Sequence, residues 1–232
     1  MTGETDLARI GSLLADRTRV AMLLALLGGR PMSASTLADV AGVSASLASS
    51  HLRKLVEGGL LVVEAAGRQR LFRLANAVAD AIEGLLLLAP PERVTSLRAA
   101  VRGQNLRRAR MCYDHLAGTV GVAITEALAD RGVLVAEARG YAVTAAAPAV
   151  LAQIGVRIEQ LERLRRPLAR RCMDWSERRN HLAGSLGAAV TSRLIELDWV
   201  RLSEASRVVR LTATGRRGLG DWLQVDLSRG AS

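Results

Sequence analysis

Residues 37–61 read LADVAGVSASLASSHLRKLVEGGLL. The start of this segment predicts a short helix that turns Leu37 inward and ends at a tight turn around Gly42. Ser44 predicts the start of a second helix, because its hydroxyl can accept a hydrogen bond from the free amides of the first turn. The glycine pair at 58–59 predicts its end. The segment therefore predicts two helices joined by a tight turn.

The flanking residues extend this pattern on both sides. Apolar residues at helical spacing predict a helix over residues 6–28. Two short alternating segments, 60–64 and 71–74, predict the strands of a hairpin with a basic tip. Residues 77–88 carry a wide apolar stripe that predicts one more helix, which ends before the proline pair at 90–91. The predicted order is helix, helix, turn, helix, hairpin and helix.

This region contains four blocks in order: LADRTR (14–19), LADVAGVS (37–44), SHLRKLVEGGLL (50–61) and GRQRLFRL (67–74). Together they resemble the winged helix-turn-helix of ArsR/SmtB-type bacterial transcriptional repressors. The resemblance covers about residues 6–88. It implies a homodimer that places two recognition helices, here residues 44–56, in successive major grooves of a palindromic operator, about 34–36 Å apart. The helix at 77–88 matches the family's dimerisation helix in position, although a core helix within one subunit is the alternative.

The predicted recognition helix presents a small, hydroxyl-rich face for DNA contact. Its stripe of Ala48, Leu52 and Leu55 is expected to pack inward, and His51 beside it is a packing or capping residue. Serines bind base edges or phosphates with weak discrimination, whereas basic residues at the helix end suit phosphate contacts. The resemblance implies backbone or minor-groove contacts at the hairpin tip. The candidate DNA-binding residues are Ser44, Ala45, Ser46, Ser49, Ser50, Arg53, Lys54, Arg68, Gln69 and Arg70.

Composition predicts an ordered, mainly α (α+β) protein. Half of the 232 residues are apolar and only 3% are aromatic, which favours packed helices. We expect a DNA-binding domain over 1–91 and a helical dimerisation and effector region over 92–232. No apolar run is long enough to span a membrane, and the polar N-terminus carries no legible secretory signal, so a cytoplasmic protein without a membrane partner is expected.

The net charge of +10 is unevenly placed along the chain. Residues 92–110 carry six arginines against Glu92 alone, and a second basic run spans 157–179. A polyanion partner such as double-stranded DNA explains such an excess, and a solvated helix face is the alternative.

The C-terminal region contains an internal duplication. Residues 115–128 match residues 181–194 at eight of fourteen positions with a constant offset of 66. A Cys-x-Asp sequence precedes each copy, with six extra residues before the second histidine. This pattern predicts one helical unit used twice, over 112–134 and 172–200.

Two chemistries suit the cysteines and histidines of the two copies. Cys112, His115, Cys172 and His181 are candidate ligands of a soft metal ion, Zn or Cu, with Cys112 and His115 on one face of a helix. The alternatives are packing with capping hydrogen bonds, or a redox thiol. The usual metal sites of the resembled family are absent: residues 31–37 hold no cysteine, and the helix at 77–88 holds no histidine.

The last part of the chain, residues 194–223, predicts helix, strand, turn, strand and helix, which resembles a second, degenerate winged helix. Taken together, these patterns predict a regulator, most simply a repressor, that binds DNA as a homodimer and receives a small-molecule or metal signal through its C-terminal region. It is not expected to be an enzyme. Two alternatives are a winged-helix adaptor without DNA binding and a thiol enzyme that uses Cys172 with His181.

Overall fold

The structure is a computed structural model, and it describes residues 5–67, 69–75, 77–138, 140–204 and 206–224. The chain divides into two compact units. Of the described residues, the first unit contains those up to Ile82 and those within 204–207, and the second contains those within 83–203 and those from Val208 onward. Helices and strands are both well represented, so the predicted α+β class is confirmed. No helix in the described ranges has the length and apolar character needed to cross a membrane.

The first unit is a winged helix-turn-helix, as predicted. Its three strands form an antiparallel sheet in the order β1-β3-β2. Helix α5 begins in this unit and continues into the second. The elements are α1 (Leu7–Leu14), α2 (Arg17–Leu26), β1 (Met32–Ser33), α3 (Ala34–Ala41), α4 (Ala45–Glu57), β2 (Leu61–Ala66), β3 (Gln69–Leu74) and α5 (Val78–Leu88).

One predicted helix of this unit is two helices. The expected helix over 6–28 breaks at Asp16, whose backbone is extended. The Asp16 carboxylate accepts a hydrogen bond from the Arg19 backbone N–H at 2.9 Å, so it caps α2 in the way that Asp6 caps α1. An aspartate side chain can bind backbone amides in place of the helical hydrogen bonds. The apolar spacing does not reveal this competition, so it did not show the break.

The turn between α3 and α4 follows from its sequence. Gly42 ends α3 with a left-handed backbone (φ +66°), and the Ser44 hydroxyl accepts a hydrogen bond from the Leu47 backbone N–H at 3.3 Å. Leu37 of α3 and Leu52 of α4 are both fully buried. These caps and buried side chains hold α4 in place with its other face in solvent.

The second unit contains a hairpin, a 13-residue helix and a second hairpin, and this series occurs twice. The residues are α6 (Leu97–Arg108), β4 (Arg110–Cys112), β5 (His115–Ala117), α7 (Gly118–Asp130), β6 (Leu134–Glu137), β7 (Gly140–Val143), α8 (Ala147–Ala152), α9 (Ile158–Leu161), β8 (Arg170–Met173), β9 (Asn180–Ala183), α10 (Gly184–Glu196), β10 (Val200–Leu202), β11 (Val209–Leu211) and α11 (Ala213–Leu223).

The two copies exchange equivalent hydrogen bonds. The Leu116 backbone N–H donates to Thr191 Oγ1 at 2.9 Å, and the Leu182 backbone N–H donates to Thr125 Oγ1 at 2.8 Å. Each threonine hydroxyl donates in turn to the carbonyl four residues before it, at 2.8 Å in both copies. Such reciprocity is the signature of a twofold relationship. The second unit is therefore built around a local twofold axis between its two copies.

The duplication also explains the pattern at residues 194–223. Helix α10, the hairpin β10-β11 and α11 follow in the predicted order. The same kind of hairpin, β6-β7, follows α7 in the first copy. The hairpin that resembles a wing is thus the closing hairpin of the repeated unit.

Candidate functional site

The recognition helix α4 turns its predicted faces as expected. Ala48, Leu52 and Leu55 are buried, and His51 is nearly so, with its Nδ1 at 3.6 Å from Asp16 Oδ1. Of the predicted DNA-binding residues, Ser50 is half-buried and the other six on this helix and its cap are exposed. The Ser44 hydroxyl caps the helix, and Ser49 Oγ donates to the Ala45 carbonyl at 2.9 Å. The open face therefore consists of Ala45, Ser46, Ser49, Arg53 and Lys54.

The tip of the hairpin β2-β3 presents Gln69 and Arg70, which are both exposed. Arg68, the third predicted residue there, lies outside the described residues. Arg73, lower on β3, forms an ion pair with Glu64 of β2, so its charge is engaged within the sheet.

Leu47 is a surface residue of α4 that the sequence reasoning missed. Its side chain is 46% exposed beside the open face. An apolar side chain at this place can contact the methyl group of thymine. The sequence signal that could have identified Leu47 was an apolar residue set among the serines of this helix.

The second unit brings all four candidate metal ligands together. The cysteine–histidine cluster consists of Cys112, His115, Cys172 and His181. Its two sulfur atoms lie 3.8 Å apart, its two Nε2 atoms lie 3.1 Å apart, and one ligand atom from each residue lies within 4.8 Å of all the others. Cys172 is half-buried and the other three residues are at most 2% exposed.

The expectation that Cys112 and His115 share a helical face is wrong. They face each other across the hairpin β4-β5, as Cys172 and His181 do across β8-β9. Tyr113 turns the first hairpin with a left-handed backbone (φ +60°). The strand pairing places cysteine opposite histidine in both hairpins. The six extra residues of the second copy lie in the loop between β8 and β9 and do not change this pairing.

A second layer of charged groups surrounds the cluster. His115 Nδ1 lies 3.1 Å from Asp114 Oδ1, and His181 Nδ1 lies 3.4 Å from Asp174 Oδ2. Each aspartate is paired in turn with an arginine: Asp114 Oδ2 with Arg166 at 2.5 Å, and Asp174 Oδ1 with Arg110 at 2.9 Å. Both histidines therefore have their Nδ1 edges directed at carboxylates, and their Nε2 atoms point at the centre of the cluster.

Comparisons with known proteins agree with the first unit's geometry. A family model described as a helix-turn-helix domain matches residues 14–64. The uncharacterized HTH-type transcriptional regulator YdfF of Bacillus subtilis is 40% identical over 223 residues, which cover 96% of this chain and 99% of that protein. The chain belongs to the HTH-type transcriptional regulators. Because the alignment runs nearly end to end, the similarity to YdfF includes the second unit.

Two solved structures are also similar to parts of this HTH-type regulator. The homodimeric winged helix-turn-helix domain of Mb0332 from Mycobacterium bovis, a possible ArsR-family regulator, is 27% identical with a TM-score of 0.34, over 38% of this chain and 89% of that chain. The cadmium sensor CMTR from Mycobacterium tuberculosis is 33% identical with a TM-score of 0.31, over 39% of this chain and 99% of that chain.

The surroundings of the cluster favour ionised groups in this regulator. A hydrogen bond with the Cys112 thiol lowers the pKa of Cys172; burial opposes this effect, and His115 and His181 lower the pKa further. Burial lowers the pKa of His115, but its hydrogen bonds with Asp114 and Cys172 raise it overall. The cluster therefore favours the thiolate, which is the form of cysteine that binds metals.

The two aspartates of the second layer are held ionised. Burial raises the pKa of Asp114, but His115 and Arg166 outweigh it and lower the pKa to about 2. Burial likewise raises the pKa of Asp174, and the charge of Arg110 leads the effects that lower it to about 2. Asp114 lies within hydrogen-bond distance of His115 Nδ1, whereas Asp174 stands at 3.4 Å from His181 Nδ1, which has no hydrogen-bond partner among the described residues.

Arg110 belongs to the basic run 92–110 in the sequence, but its charge is not available to a polyanion. Its side chain is fully buried. The guanidinium pairs with Asp174 and stacks on the Trp175 ring at 4.4 Å. The signal for its partner Asp174 was the Cys-x-Asp sequence, which occurs in both copies and supplies one aspartate from each to the second layer.

Proposed function

We propose that this HTH-type regulator is a repressor that acts in the cytoplasm as a homodimer on a palindromic operator, by binding rather than by catalysis. The open face of α4 carries the proposal. This face carries three small residues, which let a helix enter the major groove, and two basic residues, Arg53 and Lys54, which can bind phosphates beside the groove. Two such helices in a dimer would read half-sites about 34–36 Å apart.

The contacts divide by chemistry. Ser46 and Ser49 lie on the first turns of α4, where hydroxyls reach base edges, and Leu47 beside them suits a thymine methyl. Arg53 and Lys54 lie near its end and suit phosphates. Arg70 and Gln69 on the wing suit the sugar-phosphate backbone, together with Arg68. Sequence discrimination would come mainly from shape and from thymine contacts, because serine distinguishes bases weakly.

Exposed apolar side chains support the homodimer. Leu85 and Leu88 of α5 are 47% and 82% exposed. On α6, Leu97 and Val101 stand one turn apart and are 82% and 47% exposed. Such apolar exposure on consecutive helices is more than scattered surface residues explain, and it suits contact with a second copy.

The second unit is proposed to receive the signal. Control of DNA binding requires an effector that favours one arrangement of the dimer over another. Between α7 and α10, on the local twofold axis, a cavity of about 10 Å³ has room for at most one water molecule. This space is too small for an organic effector, whereas the cysteine–histidine cluster beside it offers four ligand atoms to a metal ion.

The test measures binding of the full chain to DNA from the region upstream of its own gene. Fluorescence anisotropy reports the affinity at several salt concentrations. We expect binding that weakens steeply as salt rises, because phosphate contacts release counterions. Dimer formation is measured in parallel by analytical ultracentrifugation. Normal dimers without any salt-sensitive DNA affinity would support the adaptor alternative instead.

Arg53→Ala tests the helix assignment, and Arg201→Ala is its charge-matched control. Arg201 is an exposed residue of the second unit, paired with Asp198. We expect Arg53→Ala to weaken DNA binding and the control to leave it unchanged. Equal effects of the two variants would show that α4 is not the DNA-binding helix.

A further inference from the structure

We infer that the cysteine–histidine cluster binds one zinc(II) ion in a closed tetrahedral site on the local twofold axis of the second unit. This inference concerns the second unit alone and does not depend on the proposed DNA binding. It follows from the donor spacing, the second layer, the charge balance and the residue content of the chain.

The donor spacing suits a tetrahedral ion. With Zn–S near 2.3 Å and Zn–N near 2.0–2.1 Å, a tetrahedral site places its two sulfurs about 3.8 Å apart and its two nitrogens about 3.3 Å apart. The cluster has 3.8 Å between its sulfurs and 3.1 Å between its Nε2 atoms. The sulfur pair and the nitrogen pair therefore each stand near the separation that zinc requires, and all four ligand atoms lie within 4.8 Å of one another.

The second layer suits metal-binding histidines. Asp114 and Asp174 lie against the Nδ1 edges of His115 and His181, which leaves each Nε2 as the ligand atom. A carboxylate hydrogen-bonded to Nδ1 fixes the imidazole tautomer and ring orientation, as Asp114 is placed to do for His115, and Asp174 lies 3.4 Å from His181 Nδ1. Packing alone does not require both histidines to turn the same edge toward an acid.

The charge balance favours a divalent ion. Two thiolates neutralise a charge of +2, and the two aspartates of the second layer are neutralised by Arg110 and Arg166. A buried site with balanced charges avoids the penalty of an uncompensated charge. Copper(I) would leave the same groups with one excess negative charge, so zinc fits better.

The residue content of the chain points to the same site. The chain has two cysteines and three histidines in all. Both cysteines and two of the histidines meet in this cluster, one pair from each copy. Because each copy supplies half of the ligands, the ion would hold the two copies together. Zinc binding needs both cysteines as thiolates and both histidines neutral, so any protons that these four side chains still hold leave for solvent when the ion binds.

The test uses the full chain, purified without a histidine tag, and measures its metal content by mass spectrometry. We expect about one zinc ion per chain, as four protein ligands of a closed site require. After removal of zinc under reducing conditions, added cobalt(II) should produce the d–d bands of a tetrahedral ion and a thiolate-to-cobalt charge-transfer band.

Cys172→Ser and His181→Ala should lose nearly all bound metal, while His51→Gln, which changes the histidine outside the cluster, should keep it. His181→Cys keeps four ligands and adds a thiolate, so it should still bind cobalt(II) with a stronger charge-transfer band. Asp114→Asn leaves the ligands intact and should weaken zinc affinity about 10-fold or more. The His181→Cys and Asp114→Asn variants decide the matter if a ligand deletion prevents folding.

Three results would overturn the inference. The reduced chain could fail to bind cobalt(II), or Cys172→Ser could hold as much metal as the unchanged chain. The isolated chain could also contain a Cys112–Cys172 disulfide and bind no metal after reduction, which would identify a redox pair. All these measurements are made without DNA, so their failure is separate from any failure of operator binding.

Discussion

The two units place their functional side chains in opposite ways. Helix α4 of the first unit directs short polar and basic side chains into solvent, whereas the second unit directs its cysteines and histidines inward, where two copies meet. The first arrangement depends on one helix and its caps. The second depends on contacts between hairpins that are about 60 residues apart in the chain. Substitutions should therefore affect DNA contacts locally in the first unit, and metal binding together with stability in the second.

The largest effect is expected from Asp174→Ala in the second unit. Asp174 accepts the Gly118 backbone N–H at 2.7 Å and pairs with the fully buried Arg110. Removal of one partner of a buried pair costs about 3–5 kcal/mol of unfolding free energy. Thermal unfolding by circular dichroism measures the loss. Arg201→Ala, which breaks the exposed pair with Asp198, is the control and should leave the midpoint nearly unchanged.

Metal removal should change the thermal stability of the second unit but not that of the first. If free zinc is present at about 1,000 times the dissociation constant, its binding contributes about 4 kcal/mol of unfolding free energy, so a strong chelator should lower the Tm of the second unit by about 10 °C. The first unit contains none of the cluster residues, so its unfolding should not shift. Calorimetry with and without chelator checks both parts, and a uniform shift of the two transitions would contradict the contrast drawn between the units.

The double variant Arg53→Ala with Lys54→Ala should reduce DNA affinity about tenfold or more. Each removed phosphate contact should flatten the dependence of log affinity on log salt by about one unit per protomer. Anisotropy titrations between low and physiological salt measure both quantities. Metal content should stay unchanged, and a double variant with the original salt slope would remove these two residues from the interface.

The smallest effect is expected from Ser44→Ala. The Ser44 hydroxyl caps α4, and loss of such a cap costs about 1 kcal/mol of unfolding free energy. Chemical denaturation of the first unit measures this loss of unfolding free energy. Ser44→Asp preserves the cap, so it should restore stability. If Ser44→Asp restores stability and still weakens DNA binding, Ser44 also lies close to phosphate, since the added negative charge would be repelled there.

The sequence predicted the first unit well because its signals are local. The caps at Ser44 and Gly42 and the stripe of Ala48, Leu52 and Leu55 all act within a few turns of one helix pair, so short segments contain them. The break of the first predicted helix at Asp16 was missed, because the apolar spacing continues across it while the carboxylate offers the backbone a cap instead.

For the cluster, the sequence predicted the members but not the arrangement. The duplication identified Cys112, His115, Cys172 and His181, yet their placement on helices was wrong. Three-residue spacing fits a helical face as well as a two-residue hairpin, and only the strand pairing shows which is present. Arg110 was missed for a related reason, since the buried or exposed state of an arginine depends on a partner far away in the chain.

The sequence by itself determined the winged helix-turn-helix, the faces of α4 and the existence of a repeated unit, because periodicity, capping and self-similarity are encoded in neighbouring residues. Only the tertiary structure decided that the two repeats exchange hydrogen bonds around a local twofold axis and bring two cysteines and two histidines within 4.8 Å of one another. The physical reason is that distances between side chains from separate hairpins are set by packing, and no pattern within either segment contains them.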